Sequence, residues 1–205
     1  MIRAAMLVMA IAVGAAVVAA AVPSDRVDEA LTPILGAAVA GRAVGMLLQA
    51  KQAALDAGAP LLERWIVTSR QAALADGVLP VPPAMREKLA GFYPDALLDR
   101  VRYRIGRDRG VALQNQVFLV NGNKAVTLID LIVFRDAEVA LDPVIWAHEL
   151  AHVRQYDRMG VAAFARLYLS DPRRIEIEAW DQSGYYKSWA GRHGKLAEPV
   201  PDAPR

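Results

Sequence analysis

At 205 residues, with 24 basic against 22 acidic side chains and a net charge of +2, the chain has room for one domain, with or without a helical extension. That charge gives no ground for nucleic-acid binding, and no basic run interleaved with aromatics is present. The absence of cysteine excludes thiolate metal sites, thiol nucleophiles and disulfides, so any metal must be held by His, Asp or Glu.

The chain begins with "MIR", followed by an uncharged, alanine-rich segment over residues 4–22. Ala19 and Ala21 form a small-x-small pattern before Pro23, so residues 1–21 are expected to be a signal peptide cleaved after Ala21. An uncleaved anchor is the alternative, because the segment is close to the roughly 20 residues that span a bilayer. Either outcome places the domain outside the cytoplasm, in the periplasm or beyond, and only the anchor would keep it on a membrane.

Residues 24–78 read as a helical region. Pro33, Gly36, Gly41 and Gly45 argue for two or more short helices, with a second run from Pro60 to Gly77. The prolines of "VLPVPPAM" break the chain, and "PPAMREKLAGFYP" reads as a short helix opened by proline. From about Ala96 the pattern changes. "VRYRI" alternates apolar and basic residues as a half-buried strand does. Residues 111–120 are ambiguous between helix and strand, "NGN" at 121–123 signals a turn, and "KAVTLIDLIVF" reads as a strand. After the loop "RDAEVALDP", Asp142 and Pro143 cap and open a helix that stops at Gly160. A short helix follows, then a last one opened by Asp171 and Pro172 and ending near Gly191. Residues 192–205 carry three prolines and no periodicity, and are expected to be disordered. The expected fold class is α+β: mostly helical, with a small β-sheet.

The chemistry concentrates in "WAHELAHVRQYD", which holds two of the three histidines of the chain. His148 and His152 are four residues apart on a helix, so both imidazoles project from one face and can reach one metal ion. Glu149 lies about 100° around the helix, placed to face a water rather than the metal. Two imidazoles, an open position and a neighbouring carboxylate are what hydrolytic zinc chemistry requires. A core helix with incidental histidines would leave Glu149 and both imidazoles unexplained. Zn²⁺ is therefore the expected cofactor and Glu149 the expected general base.

Two ligands do not complete such a site. A metzincin-like pattern would continue with a glycine and a third histidine, but Gln155 and Arg158 stand there. His193 lies past the last helix in a glycine-flanked segment, a poor place for a rigid ligand. The last helix offers Glu176 and Glu178, about 200° apart, of which only one can face the metal. Ala179, Trp180 and Ser183 make the Glu176 side the less polar and favour it, with Glu178 the alternative. Tyr156 and Tyr185, with Tyr186 beside it, are candidate oxyanion donors, although each tyrosine also suits ordinary packing. The strand "TLIDLIVF" can offer an edge to an extended peptide.

"AVTLIDLIVF", "HELAHVRQ" and the later "E-x-E-A" resemble a family of zinc-metallopeptidase-like domains, the extracellular contractile injection system core domain. The resemblance covers roughly residues 80–190. It implies a zincin-like domain over residues 79–191, with a metal helix followed by a helix carrying the third ligand. Glutamate-type zincins carry an E-x-x-A-D element whose first glutamate is that ligand. Carried onto "EIEAW", this selects Glu176. The aspartate of the element, which orients a ligating histidine, is replaced by Trp180, and Asp181 follows one residue late. The expected function is an exported zinc metallopeptidase acting on a peptide or protein. A zinc-stabilised binding or assembly module that does not turn over is the alternative.

Overall fold

The computed structural model describes residues 37–106 and 124–196. The segments at 4–22, 24–36, 111–123 and 197–205, with the readings placed on them, lie outside the described residues. Helix α1 (Ala37–Ala75) is followed by strand β1 (Leu79–Pro80), helix α2 (Pro83–Leu89), helix α3 (Asp95–Arg100) and strand β2 (Arg102–Ile105). Strands β3 (Ala125–Leu128) and β4 (Leu131–Phe134), a 3₁₀ turn (Val139–Leu141), helix α4 (Pro143–Ser170) and helix α5 (Pro172–Arg192) complete the order. The expected class is observed: a mostly helical α+β protein with one small sheet. No helix among the described residues is long and apolar enough to cross a membrane.

The chain divides into two compact units, one running to Arg64 and including Val161–Arg174, the other comprising Trp65–Gly160 and the chain from Ile175. In the first, Leu55, Ala59 and Leu169 form a small buried cluster with Leu62 against it. A Cβ on Gly58 would lie 3.2 Å from Leu169 Cδ1, so the glycine permits this close approach. Arg166 pairs with Asp56 at 2.7 Å. The two or more short helices expected before Gly77 are one continuous helix, α1, which contains Pro60. An interior glycine costs only about 1 kcal/mol, and a proline removes one hydrogen bond without ending a helix whose apolar face is packed.

The second unit holds the sheet, in the order β1-β2-β4-β3. β2 and β4 run parallel, while β1 with β2 and β3 with β4 run antiparallel. The segment expected as one strand, "KAVTLIDLIVF", is a hairpin. Its turn is Ile129–Asp130, with Ile129 in the left-handed region at φ 65°. A β-branched residue there gives no turn signal, which is why the sequence pattern runs straight through it. Asp130 accepts two hydrogen bonds from the Arg70 guanidinium, at 2.5 and 2.9 Å, tying the turn to the end of α1.

β4 is buried on both faces, and its alternation sorts the core. Ile132 and Phe134 join a large cluster with Tyr103, Trp146, Leu150 and Val153. Leu131 and Val133 face Ala73 and Leu128, with Trp65 and Leu74 of α1 packed around them. Thr127 pairs with Ile132 across the hairpin and so shares the α4 side of the sheet.

α4 starts as its sequence indicates. Pro143 occupies the first turn, and the Asp142 carboxylate accepts the Val144 N–H at 2.8 Å. From Ile145 to Val153 every residue is buried, so this part of α4 is a core helix covered all round. Trp146 anchors it, with no exposed surface, its ring 4.7 Å from Phe134 and its Nε1 donating to the Ala140 carbonyl at 2.8 Å. Gly160, at φ 78° and ψ 164°, breaks the helical geometry at the expected stop. In α5, Ile175, Ala179, Ser183, Tyr186 and Ala190 form a buried stripe at helical spacing. The start of the tail departs from the disorder expected after residue 191: Lys195 donates to the carbonyls of Glu87 and Ala90 at 2.8 and 2.6 Å.

Candidate metal centre

α4 presents His148 and His152 from one face, both buried, with their Nε2 atoms 3.2 Å apart. Glu176, on the second turn of α5, lies at the margin of the buried stripe and turns its carboxylate to the same point. Its oxygens stand 3.4 Å from His148 Nε2 and 3.8 Å from His152 Nε2. Metal–ligand bonds of about 2.0–2.1 Å in tetrahedral geometry place ligand atoms roughly 3.3 Å apart. The shortest separations, which use both carboxylate oxygens, lie near that spacing, and one ligand atom from each of His148, His152 and Glu176 falls within 4.8 Å of the others, so the three residues could together hold a metal ion. Donor chemistry agrees: two imidazole nitrogens and a carboxylate converge, a common nitrogen and oxygen donor set for a metal ion. The Glu176 side chain keeps 41% of its surface exposed, so the site faces solvent on that side.

Burial acts to raise the Glu176 pKa, but the hydrogen bond from His148 and the attraction of both imidazoles when protonated outweigh it and hold the carboxyl below its ordinary range. Glu178, the alternative ligand, faces elsewhere. Both its oxygens accept from the Arg158 guanidinium, at 2.7 and 2.8 Å. That ion pair is the main reason its pKa is lowered, against some opposition from burial.

Glu149 is buried, and the Thr127 hydroxyl of β3 donates to its Oε2 at 2.6 Å. Burial raises its pKa, while the nearby His152 and Thr127 oppose the rise and the Glu176 charge adds to it.

The tyrosines are placed differently from a ready set of oxyanion donors. The Tyr156 hydroxyl donates to the Thr127 backbone carbonyl at 3.4 Å, and Tyr185 is 65% exposed. Tyr186 belongs to the core and donates to the Lys88 carbonyl; burial first, and then Asp142, pushes its pKa up to about 12. His193 is exposed and stacks on Trp189, in a separate cluster with Lys195.

Two residues gain roles that spacing alone does not reveal. Trp180, standing where an orienting aspartate is expected, packs its ring 4.3 Å from that of His148. His148 Nδ1 is accordingly buried with no hydrogen-bond partner among the described residues. Gln155 meets the other imidazole: its Oε1 lies 2.8 Å from His152 Nδ1. The available signal is that Gln155 stands one turn beyond His152 on the same helical face.

Residues 80–160 match the family model of the eCIS core domain. The match runs from β1 to the break at Gly160. It takes in both histidines, Glu149 and Gln155, and ends before Glu176. Neither the curated proteins nor the solved structures yield a match. The matched segment therefore holds His148, His152 and Glu149, while Glu176 lies outside it on α5.

Proposed function

We propose that this protein is an exported zinc-dependent metallopeptidase. The observation that carries the reading is the convergence of His148, His152 and Glu176, with ligand atoms within 4.8 Å of one another, beside the buried Glu149. Nitrogen and oxygen donors without sulfur, with one side open to solvent, suit catalytic zinc. When bound, the ion acidifies water and polarises a carbonyl. Glu149 then takes the proton of the attacking water, and hands it to the leaving amine as the peptide bond breaks. Thr127 holds Glu149 toward this task through its hydroxyl. β3, which carries Thr127 and is an edge strand of the sheet among the described residues, would offer backbone groups to an extended peptide. Export rests on the signal-like residues 4–22.

A second reading has its own support. The Tyr156 hydroxyl is engaged with a backbone carbonyl and Tyr185 is turned to solvent, and the matched family is named for an injection-system core. These favour a zinc-stabilised assembly module that uses the same ligands without turnover.

Zinc content per chain, measured on wild type and Glu176→Ala, tests the metal. About one ion in the wild type and loss in the variant are expected. Digestion of a mixed peptide pool by the zinc-loaded protein tests the reaction. Cleavage abolished by Glu149→Gln supports the peptidase, and a loaded protein that cleaves nothing supports the assembly module.

A further inference from the structure

We infer that Gln155 is the positioning residue for the second histidine: it fixes His152 as the Nδ1–H tautomer and aims the Nε2 lone pair into the metal site. The inference rests on the metal-centre reading above and adds a residue which that reading does not use.

The argument begins with the amide itself. Gln155 is 1% exposed, so its polar atoms must be satisfied within the protein. Its Nε2 donates to the Ile175 carbonyl at 3.0 Å. It also faces the Glu178 carboxylate, which it helps to hold ionised after Arg158 has done most of that work. Both neighbours are pure acceptors, so the NH₂ end of the amide has only one possible orientation and Oε1 is turned to His152. An amide oxygen cannot donate. The proton in the 2.8 Å contact must therefore sit on His152 Nδ1, leaving Nε2 of the neutral ring as a lone pair. That is the nitrogen which lies 3.2 Å from His148 Nε2 and 3.8 Å from Glu176.

A ligating imidazole ordinarily donates its other N–H to a carboxylate or carbonyl, which sets its orientation and basicity. Here the last helix has Trp180 against His148 in place of such a group. The orienting function is carried by the metal helix itself, one turn after the second ligand. Glu178 and Arg158, though no part of the ligand set, act behind it by holding the amide from its far side.

The test uses full-length protein with ¹⁵N-labelled histidine. In metal-free wild type, two-dimensional ¹⁵N spectra should show His152 protonated at Nδ1; a ring protonated at Nε2 overturns the inference without any variant. Gln155→Met keeps the volume but removes the acceptor. It should lose the Nδ1–H preference and weaken zinc binding by about 10- to 100-fold in chelator competition. A Gln155→Met protein with unchanged tautomer and zinc affinity refutes the role. If wild type binds no zinc, the metal-centre reading fails, and the tautomer spectra alone decide whether Gln155 sets the ring.

Discussion

Thr127→Val isolates the link between the sheet and the buried Glu149 carboxylate. The substitution keeps the branched shape and removes one hydroxyl, whose proton goes to Glu149 Oε2 at 2.6 Å. Donor and acceptor residues are 7% and 5% exposed, so water does not replace the lost partner. A hydrogen bond to a charged group contributes about 1.5–3 kcal/mol, and the length here is that of a charge-assisted bond. In urea, with a slope of about 2 kcal/mol per molar, the midpoint should fall by roughly 0.8–1.5 M at about pH 8. The measurement belongs in metal-free protein, repeated in a Glu149→Gln background where the same bond is neutral and contributes about 0.5–1.5 kcal/mol. The cost should also shrink on acidification. Burial raises the Glu149 pKa in the folded state, so as pH falls toward the unfolded value the native protein gains a proton first and is stabilised by it. The variant lacks a partner that lowers this pKa, and gains more. Equal costs in both backgrounds, at both pH values, would refute a bond to an ionised Glu149.

Trp146→Ala, at a fully buried ring packed on Phe134 and Tyr103, should cost about 3–5 kcal/mol in urea unfolding; a loss below about 2 kcal/mol contradicts its anchoring place. Ile129→Asn relieves a left-handed β-branched residue and should gain about 1 kcal/mol, or roughly 2–4 °C in melting temperature, where a lower melting point would count against strain in the turn. Arg158→Ala breaks a pair whose side chains are 57% and 39% exposed, so its cost should stay below about 1 kcal/mol. Because Arg158 depresses the Glu178 pKa below 4.5, that cost should be present at neutral pH and vanish as pH falls through the depressed value, as read from acid titrations of both proteins.

The parts of this fold that sequence reveals are those with local rules. Asp142–Pro143 and Asp171–Pro172 open their helices, Gly160 interrupts one, and the four-residue spacing of His148 and His152 fixes a shared face. Glu176 is readable only in part, since the choice against Glu178 depends on which face of α5 meets α4. The remaining misses are tertiary. Pro60 and Gly58 look like breaks, yet the helix continues through both; Ile129 carries no turn chemistry, and its turn is held by Arg70, sixty residues away along the chain. α3 spans only six residues, too few for helical periodicity to declare itself. Gln155 is informative only once Ile175 and Glu178 are known to face it.

The separation of the ligands along the chain also orders events in time. His148 and His152 meet as soon as one helical turn forms. Glu176 joins them only when α5 has docked, through contacts such as Gln155 to Ile175, twenty residues apart in sequence. An ion requiring all three atoms would bind more tightly to the chain with α5 docked than to one in which only the α4 turn has formed, and would stabilise the docked state by that difference.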